Sequence, residues 1–272
     1  MPPIYLYNKS VTLIALLKKL QSARRIILFL DYDGTLVPIK KLPALAVISP
    51  EARKLLKILS EQKKITLVIC TGRAYADINR LLRLKSLIIV SNHGFHIKSK
   101  NKAWAHPQVD AVIPALRRIS VRLRFLEKLF TSILVEDKKY TLTVHYRNVP
   151  KDQVNMIKNT VGAIVQQYSY FVKMTHGKKV LEIRPNILWN KGFAVRKALQ
   201  MIRPAENKYT LIYIGDDTTD EDAFKVLREN ALTIKVGSNK KTSAKYFVRN
   251  PNEVLQFLKM FLDRNHRGTF DG

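Results

Sequence analysis

Residues 26–35 read Ile26-Ile27-Leu28-Phe29-Leu30-Asp31-Tyr32-Asp33-Gly34-Thr35: an apolar run that ends abruptly in two carboxylates and a glycine. Such near-continuous apolar character suggests a strand buried on both faces, as in a parallel α/β sheet. Four more runs follow the same plan, over residues 65–70, 87–90, 210–214 and 232–236. Helical patterns over residues 50–62 and 74–84 lie between them, and that alternation predicts βαβ units. The later runs are followed by Thr71-Gly72-Arg73, Ser91-Asn92-His93-Gly94, Gly215-Asp216-Asp217 and Gly237-Ser238-Asn239. Ligands of open parallel sheets bind beyond the carboxyl ends of the strands. Five polar or glycine-rich turns at five such ends therefore converge on one expected cleft.

The middle of the chain has a different rhythm. Residues 109–130 and 151–167 pattern as amphipathic helices, the second carrying Val154, Ile157, Val161, Ile164 and Val165. In residues 139–147, Tyr140, Leu142, Val144 and Tyr146 alternate with Thr141, Thr143, His145 and Arg147. In residues 179–184, Leu181 and Ile183 alternate with Glu182 and Arg184. Alternation of this kind suits an antiparallel sheet with helices on one face and a polar second face. Residues 101–186 are thus expected to form an α+β domain inserted into a core made of residues 1–100 and 187–272.

The chain has 272 residues, 46% hydrophobic and 25% charged, an ordinary globular composition. No apolar run approaches the roughly 20 residues of a membrane-spanning helix. Near the N-terminus the run from Val11 to Leu17 passes straight into Lys18 and Lys19, so residues 10–21 read as an amphipathic helix and not as a secretory leader. Cys70 is the single cysteine and excludes an internal disulfide framework. A cytoplasmic location is expected, with no membrane partner. Lys and Arg number 48 against 21 Asp and Glu, a net charge of +27. The basic residues are spread along the chain, with no arm, zinc spacing or RNA-binding aromatic signature. Non-specific attraction to polyanions is expected and a specific nucleic-acid partner is not; a basic nucleic-acid-binding protein stands as the alternative from another class.

Asp31 and Asp33 sit two residues apart after the first run, a spacing that lets carboxylates divide nucleophilic and acid/base work. Oxygen ligands of this kind suit a hard cation. An Asp-Gly pair is also common turn punctuation. Residues 216–222 hold five acids, costly to gather unless cations offset them. A helix N-terminus accounts for Glu221 and Asp222; Asp216, directly after its strand, is expected to face the same cleft as Asp31. Thr71 and Gly72 offer a hydroxyl and a backbone N–H to a phosphate at a helix start. Lys191 begins a predicted helix, although in so basic a chain a single lysine is ordinarily a surface charge.

In order, Asp31-x-Asp33-Gly34-Thr35, Thr71-Gly72-Arg73, Lys191 and Gly215-Asp216-Asp217-x-x-Asp220 resemble the four motifs of the haloacid dehalogenase superfamily of phosphatases. Within it, Ser91 through Phe95, Glu136-Asp137-Lys138, His145-Tyr146-Arg147, Gly177 through Pro185 and Gly215 through Phe224 resemble the trehalose-6-phosphate phosphatases. The resemblance covers nearly the whole chain. It implies a doubly wound, mostly parallel Rossmann-like α/β core with an inserted cap, in the stand-alone and not the synthase-fused form. It also implies hydrolysis of a sugar phosphate through an aspartyl-phosphate. In that scheme Asp31 is the nucleophile and Asp33 the acid and base. Mg²⁺ is held by Asp31, Asp33 and Asp216 with Asp220 in support, and phosphate oxygens are held by Thr71, Gly72 and Lys191. Glu136, Lys138, His145, Arg147, Lys178, Glu182 and Arg184, with His93 and Gly94, are the expected sugar-binding set; a merely solvated sheet face and a turn histidine are their ordinary readings. Sucrose phosphate, mannosyl-phosphoglycerate and hexose phosphates are alternative substrates separated only by cap contacts. Oligomeric state is not legible.

Overall fold

The computed structural model describes residues 2–8, 10–130, 132–177, 179–202, 209–237 and 241–267. The chain divides into two compact units, Met1–Trp104 with Asn190–Gly272, and Ala105–Trp189.

The strands of the first sheet, in chain order, are β1 (Ile4–Tyr5), β2 (Ile26–Asp31), β3 (Ile65–Cys70), β4 (Ile88–Ser91), β5 (His96–Lys98) and β6 (Ala103–Ala105), then β11 (Thr210–Gly215), β12 (Ala231–Val236) and β13 (Tyr246–Val248). They lie in the order β1-β13-β12-β11-β2-β3-β4-β5-β6. Every pairing from β1 to β4 is parallel, and β5 turns antiparallel to β4. The chain winds outward from β2 in one direction through β3 and β4. It then resumes at β11 on the other side of β2 and winds outward again, which makes the β2/β11 junction the topological switch point of a doubly wound sheet. All six residues of β2 and of β12 are buried, as the apolar runs require of strands covered on both faces.

Helices α1 (Ser10–Gln21), α2 (Pro50–Glu61), α3 (Tyr75–Leu82), α6 (Lys191–Ile202), α7 (Thr218–Leu227) and α8 (Pro251–Arg267) belong to the same unit. The start of α2 shows how local sequence sets these ends. Ser49 Oγ accepts the Ala52 N–H at 3.1 Å, and Pro50 occupies the first turn, where no N–H is needed. Ala52, Leu55, Leu56 and Leu59 then face inward and meet Val254, Phe257, Leu258, Phe261 and Leu262 of α8 in one core. Each fully buried side chain of this size is worth about 1.5–3 kcal/mol in removed apolar surface.

The second unit has a four-stranded antiparallel sheet, β7 (Leu134–Asp137), β8 (Leu142–His145), β9 (Val172–Gly177) and β10 (Val180–Pro185), in the order β7-β8-β10-β9. Two helices, α4 (Val109–Leu129) and α5 (Val154–Gln166), cover one face. Leu116, Ile119, Leu123 and Leu126 of α4 and Ile157, Val161 and Ile164 of α5 pack with Val144, Leu181 and Ile183. The strand expected over residues 139–147 is shorter than its pattern. Lys139 adopts φ 74 and the Lys138 N–H bonds the Thr141 carbonyl, so the β7–β8 turn takes up the first residues. Thr143 of β8, and Thr141 just before that strand, are buried and not solvated.

Candidate active site

The switch point gathers the acids. Asp31 closes β2, and Asp216 follows β11 immediately. Lys191, the first residue of α6, is 4% exposed; its Nζ donates to Asp31 Oδ1 at 2.8 Å and to Asp220 Oδ1 at 2.7 Å. Burial alone would lower the Lys191 pKa; Asp220 and Asp31 outweigh it and hold the ammonium well above the ordinary lysine range. Asp220, on the first turn of α7, is fully buried and also accepts from Tyr213 Oη at 2.7 Å and from the Asp217 N–H at 3.0 Å. Tyr213 is held in place by ring contacts with Phe29 and Phe224. Thr35 Oγ1 donates to Asp31 Oδ2 at 3.2 Å. The acid-rich stretch is thus dispersed among fixed donors. Glu221 turns away to accept from Thr242 Oγ1 at 2.7 Å and the Ser243 N–H at 2.8 Å, with the buried Lys235 ammonium 3.6 Å off.

Asp33 is held from the next turn. Arg73, only 5% exposed, donates from Nε to Asp33 Oδ2 at 2.7 Å and from Nη2 to Asp33 Oδ1 at 2.8 Å. The same guanidinium reaches Asp77 Oδ2 at 2.6 Å and the Pro43 carbonyl at 2.9 Å. This fork-to-carboxylate pairing fixes orientation as well as charge. Thr71 and Gly72 lie ahead of α3, not at its first turn: the helix begins at Tyr75, and the Thr71 hydroxyl accepts the Arg73 N–H at 3.1 Å, closing a tight turn. His93 packs against this turn. Its N–H donates to the Thr71 carbonyl at 3.1 Å, and a Cβ placed on Gly72 would fall 2.3 Å from its ring. His93 and Gly94 both have positive φ, 55° and 95°.

The donor set tests whether a metal fits. One carboxylate oxygen from each of Asp31, Asp216 and Asp220 lies within 4.8 Å of the others. Both Asp220 oxygens accept from the protein, Oδ1 from Lys191 and Tyr213 and Oδ2 from the Asp217 N–H, which fixes the most buried acid of the trio. Burial raises the Asp31 carboxyl well above its usual range, Lys191 opposes, and Asp220 and Asp216 add to the rise. Three acids against one ammonium leave excess negative charge, which a hard divalent cation with oxygen ligands would neutralise. Gly34 makes the approach possible. It has φ 88°, and a Cβ there would sit 2.1 Å from Asp216 Oδ2. The residues fit such an ion.

In the second unit the polar sheet face carries a row of paired groups. Glu136 Oε2 lies 3.1 Å from His145 Nε2 and 3.6 Å from Lys138 Nζ, and Arg184 bonds Glu182. Thr143 stands in register between Glu136 and Glu182. The Thr143 hydroxyl is buried and has no hydrogen-bond partner among the described residues. Arg147 lies beyond the end of β8 and is exposed. Lys178 falls outside the described residues.

Two contributors were not singled out from sequence. Arg73 belongs to the Thr71-Gly72-Arg73 turn ahead of α3, and no local spacing pointed to its pairing with Asp33. Tyr213 was hidden in the interior of an apolar run, between Ile212 and Ile214.

A doubly wound sheet with an aspartate pair leaving its central strand, an acid after the neighbouring strand and a lysine bridging the first aspartate to the buried Asp220 defines a phosphohydrolase of the haloacid dehalogenase type. Solved structures agree. A trehalose-6-phosphate phosphatase related protein is 28% identical with TM-score 0.78, over 90% of this chain and 100% of its own. The C-terminal domain of the C. albicans trehalose-6-phosphate phosphatase is 25% identical with TM-score 0.79, over 97% of this chain and 98% of its own. Residues 29–252 match the trehalose-phosphatase family, and the chain belongs to that family of phosphoric monoester hydrolases. Trehalose 6-phosphate phosphatase RA3 of Zea mays is 34% identical, covering 89% of this chain and 71% of the relative. The probable trehalose-phosphate phosphatase D of Arabidopsis thaliana is also 34% identical, covering 94% and 72%.

Proposed function

We propose that this chain hydrolyses trehalose 6-phosphate to trehalose and inorganic phosphate through a phosphoryl group carried on Asp31. The observation that carries the reading is the Lys191 ammonium fixed between Asp31 and Asp220 at the switch point, with Asp33 held two residues from the nucleophile. An Asp31 carboxylate oxygen attacks phosphorus, and the bond from phosphorus to the sugar oxygen breaks. Asp33 gives its proton to that departing oxygen. A water then attacks the aspartyl-phosphate, Asp33 takes the proton back, and the bond between phosphorus and Asp31 breaks to release phosphate. Thr71, Gly72 and Lys191 hold the phosphate oxygens while this happens. Positioning and charge neutralisation are what phosphoryl transfer demands. Mg²⁺, held by the Asp31 carboxylate, the Asp33 carbonyl and Asp216 with Asp220 behind them, would supply the remaining positive charge.

In this reading residues 101–186 serve as the specificity cap. Glu136, Lys138, His145, Arg147, Lys178, Glu182 and Arg184 offer the mixture of donors and acceptors that a disaccharide rich in hydroxyls requires; His93 and Gly94 are separate sugar-contact candidates on the first unit. The site of action is cytoplasmic. The test is phosphate release from a panel of sugar phosphates, with and without Mg²⁺, alongside Asp31→Asn. Selective release from trehalose 6-phosphate, lost with chelator and in the variant, is the expected result. Release from other sugar phosphates alone would reassign the cap, and no Mg²⁺-dependent release from any of them would overturn the reading.

A further inference from the structure

Helix α4 presents an outward face unlike that of a solvated helix. Val121, Phe125 and Leu129 follow one another at four-residue spacing and are 70%, 62% and 61% exposed. They form an apolar stripe on a single side. The inward side is separately satisfied by Val112, Leu116, Ile119, Leu123 and Leu126 in the core of the second unit. With 3.6 residues per turn, Arg124 and Lys128 flank the stripe on one edge, Arg118 and Arg122 flank it on the other, and Arg117 stands in line with it at its N-terminal end. All five are exposed. The only acid between residues 117 and 129 is Glu127, and its carboxylate already accepts the Val135 N–H at 2.9 Å. Arg122 Nη1 donates to Gln167 Oε1 at 2.6 Å, and three residues further on the Tyr170 ring is 85% exposed.

We propose that this face of α4 docks in the plane of an anionic lipid surface. From Arg117 to Leu129 the stripe runs about 18 Å. A bilayer interface offers what it needs at once: acyl chains under the stripe and phosphates along both edges, where arginine side chains reach sideways to the headgroups. A nucleic acid would meet the five cations but give Val121, Phe125 and Leu129 nothing to bury against. An apolar protein groove would bury the stripe and leave the cations uncompensated. The net charge of +27 draws the whole molecule toward such a surface. The contact is peripheral, since no described helix is long and apolar enough to cross a membrane, and it replaces the expectation of no membrane partner.

Flotation of the full chain with phosphatidylcholine vesicles, with and without about one third phosphatidylserine, tests this. Binding is expected only with the anionic lipid. Arg118→Gln combined with Arg124→Gln should lower the partition coefficient roughly 25-fold, about fivefold per arginine. Lys54→Gln combined with Lys57→Gln, the same charge change on exposed α2 positions of the first unit, should leave it nearly unchanged. Val121→Ser with Phe125→Ser should abolish the binding that survives raised salt, because burial of the stripe is not screened. Unchanged circular dichroism and melting temperature confirm that the variants fold. Equal losses from the α2 and α4 pairs, or binding indifferent to the serine pair, would overturn the proposal in favour of bulk charge. Competition by duplex DNA that the serine pair does not alter would overturn it in favour of a nucleic acid. Self-association lost in the serine pair, with no vesicle binding in either form, would assign the face to a second copy of the chain.

Discussion

Replacing Arg73 isolates the residue that aims Asp33. In Arg73→Met the side chain keeps much of its buried volume and loses two charge-assisted hydrogen bonds to Asp33, one to Asp77 and one to the Pro43 carbonyl. A hydrogen bond to a charged group is worth about 1.5–3 kcal/mol when buried. Here Asp33 is 40% exposed and Asp77 24%, so water replaces part of what is lost and the lower end applies to each. Relief of the cost of burying the guanidinium subtracts further, leaving a net destabilisation of about 3 kcal/mol. The catalytic effect is expected to be larger in kcat than in KM, because in the proposed reaction Asp33 acts on the departing oxygen and not on ground-state binding. A drop of roughly a hundredfold in kcat matches the usual worth of a positioned general acid. Arg73→Lys keeps the charge without the fork and should recover stability more than turnover. Urea denaturation and steady-state phosphate release on the three proteins supply both readouts. Wild-type kcat in Arg73→Met, or identical behaviour of the lysine and methionine variants, would refute the positioning role.

Gly34→Ala forces a side chain into φ 88° and onto the Asp216 carboxylate; a stability loss of about 1–2 kcal/mol and an approximately hundredfold fall in turnover are expected by thermal melting and phosphate release. Tyr213→Phe removes one of the donors to Asp220, and denaturant titration should show a loss of about 1–3 kcal/mol; an unchanged midpoint would mean that Lys191 and the Asp217 N–H suffice. Burial pushes the Cys70 thiol well above its usual range, so iodoacetamide should label it only in denaturant, and rapid native labelling would contradict that packing. Burial likewise raises Tyr213 and Tyr7, and lifts Tyr32 to about 12. The native state therefore holds protons that the unfolded chain releases near pH 10, and stability measured by denaturation should fall as pH rises past that value.

The central strands were legible because burial on both faces leaves no alternation to interrupt an apolar run, and β2, β3, β4, β11 and β12 all carry that mark. The strands β1 and β13, at two and three residues, are too short for any period to register. The strand β9 mixes Lys173, Thr175 and His176 into its run and owes its place to pairing with β10, a long-range fact. In the site, Asp31 and Asp216 were readable because each sits at the end of a strand, whereas Lys191 stood out from the many lysines only through the family resemblance. What Arg73 does depended on Asp33 and Pro43, thirty to forty positions away in the chain, which no local window reports.

The division of the first sheet between two stretches of chain sets an order of events during synthesis. Thr210 pairs with Ile26 and Leu211 with Ile27, so β2 leaves the ribosome long before its inner neighbour exists. At 5–20 residues per second the gap lasts about 10–40 s. Throughout that interval an apolar strand edge at the heart of the molecule stands open, while residues 105–189 have time to fold as a unit. A nascent chain stalled before residue 210 would already contain Asp31, Asp33 and Arg73 and still lack the strand that brings Asp216 and Asp220 to them. Slow translation through residues 190–220 would thus be paid in aggregation, not in a partly active enzyme.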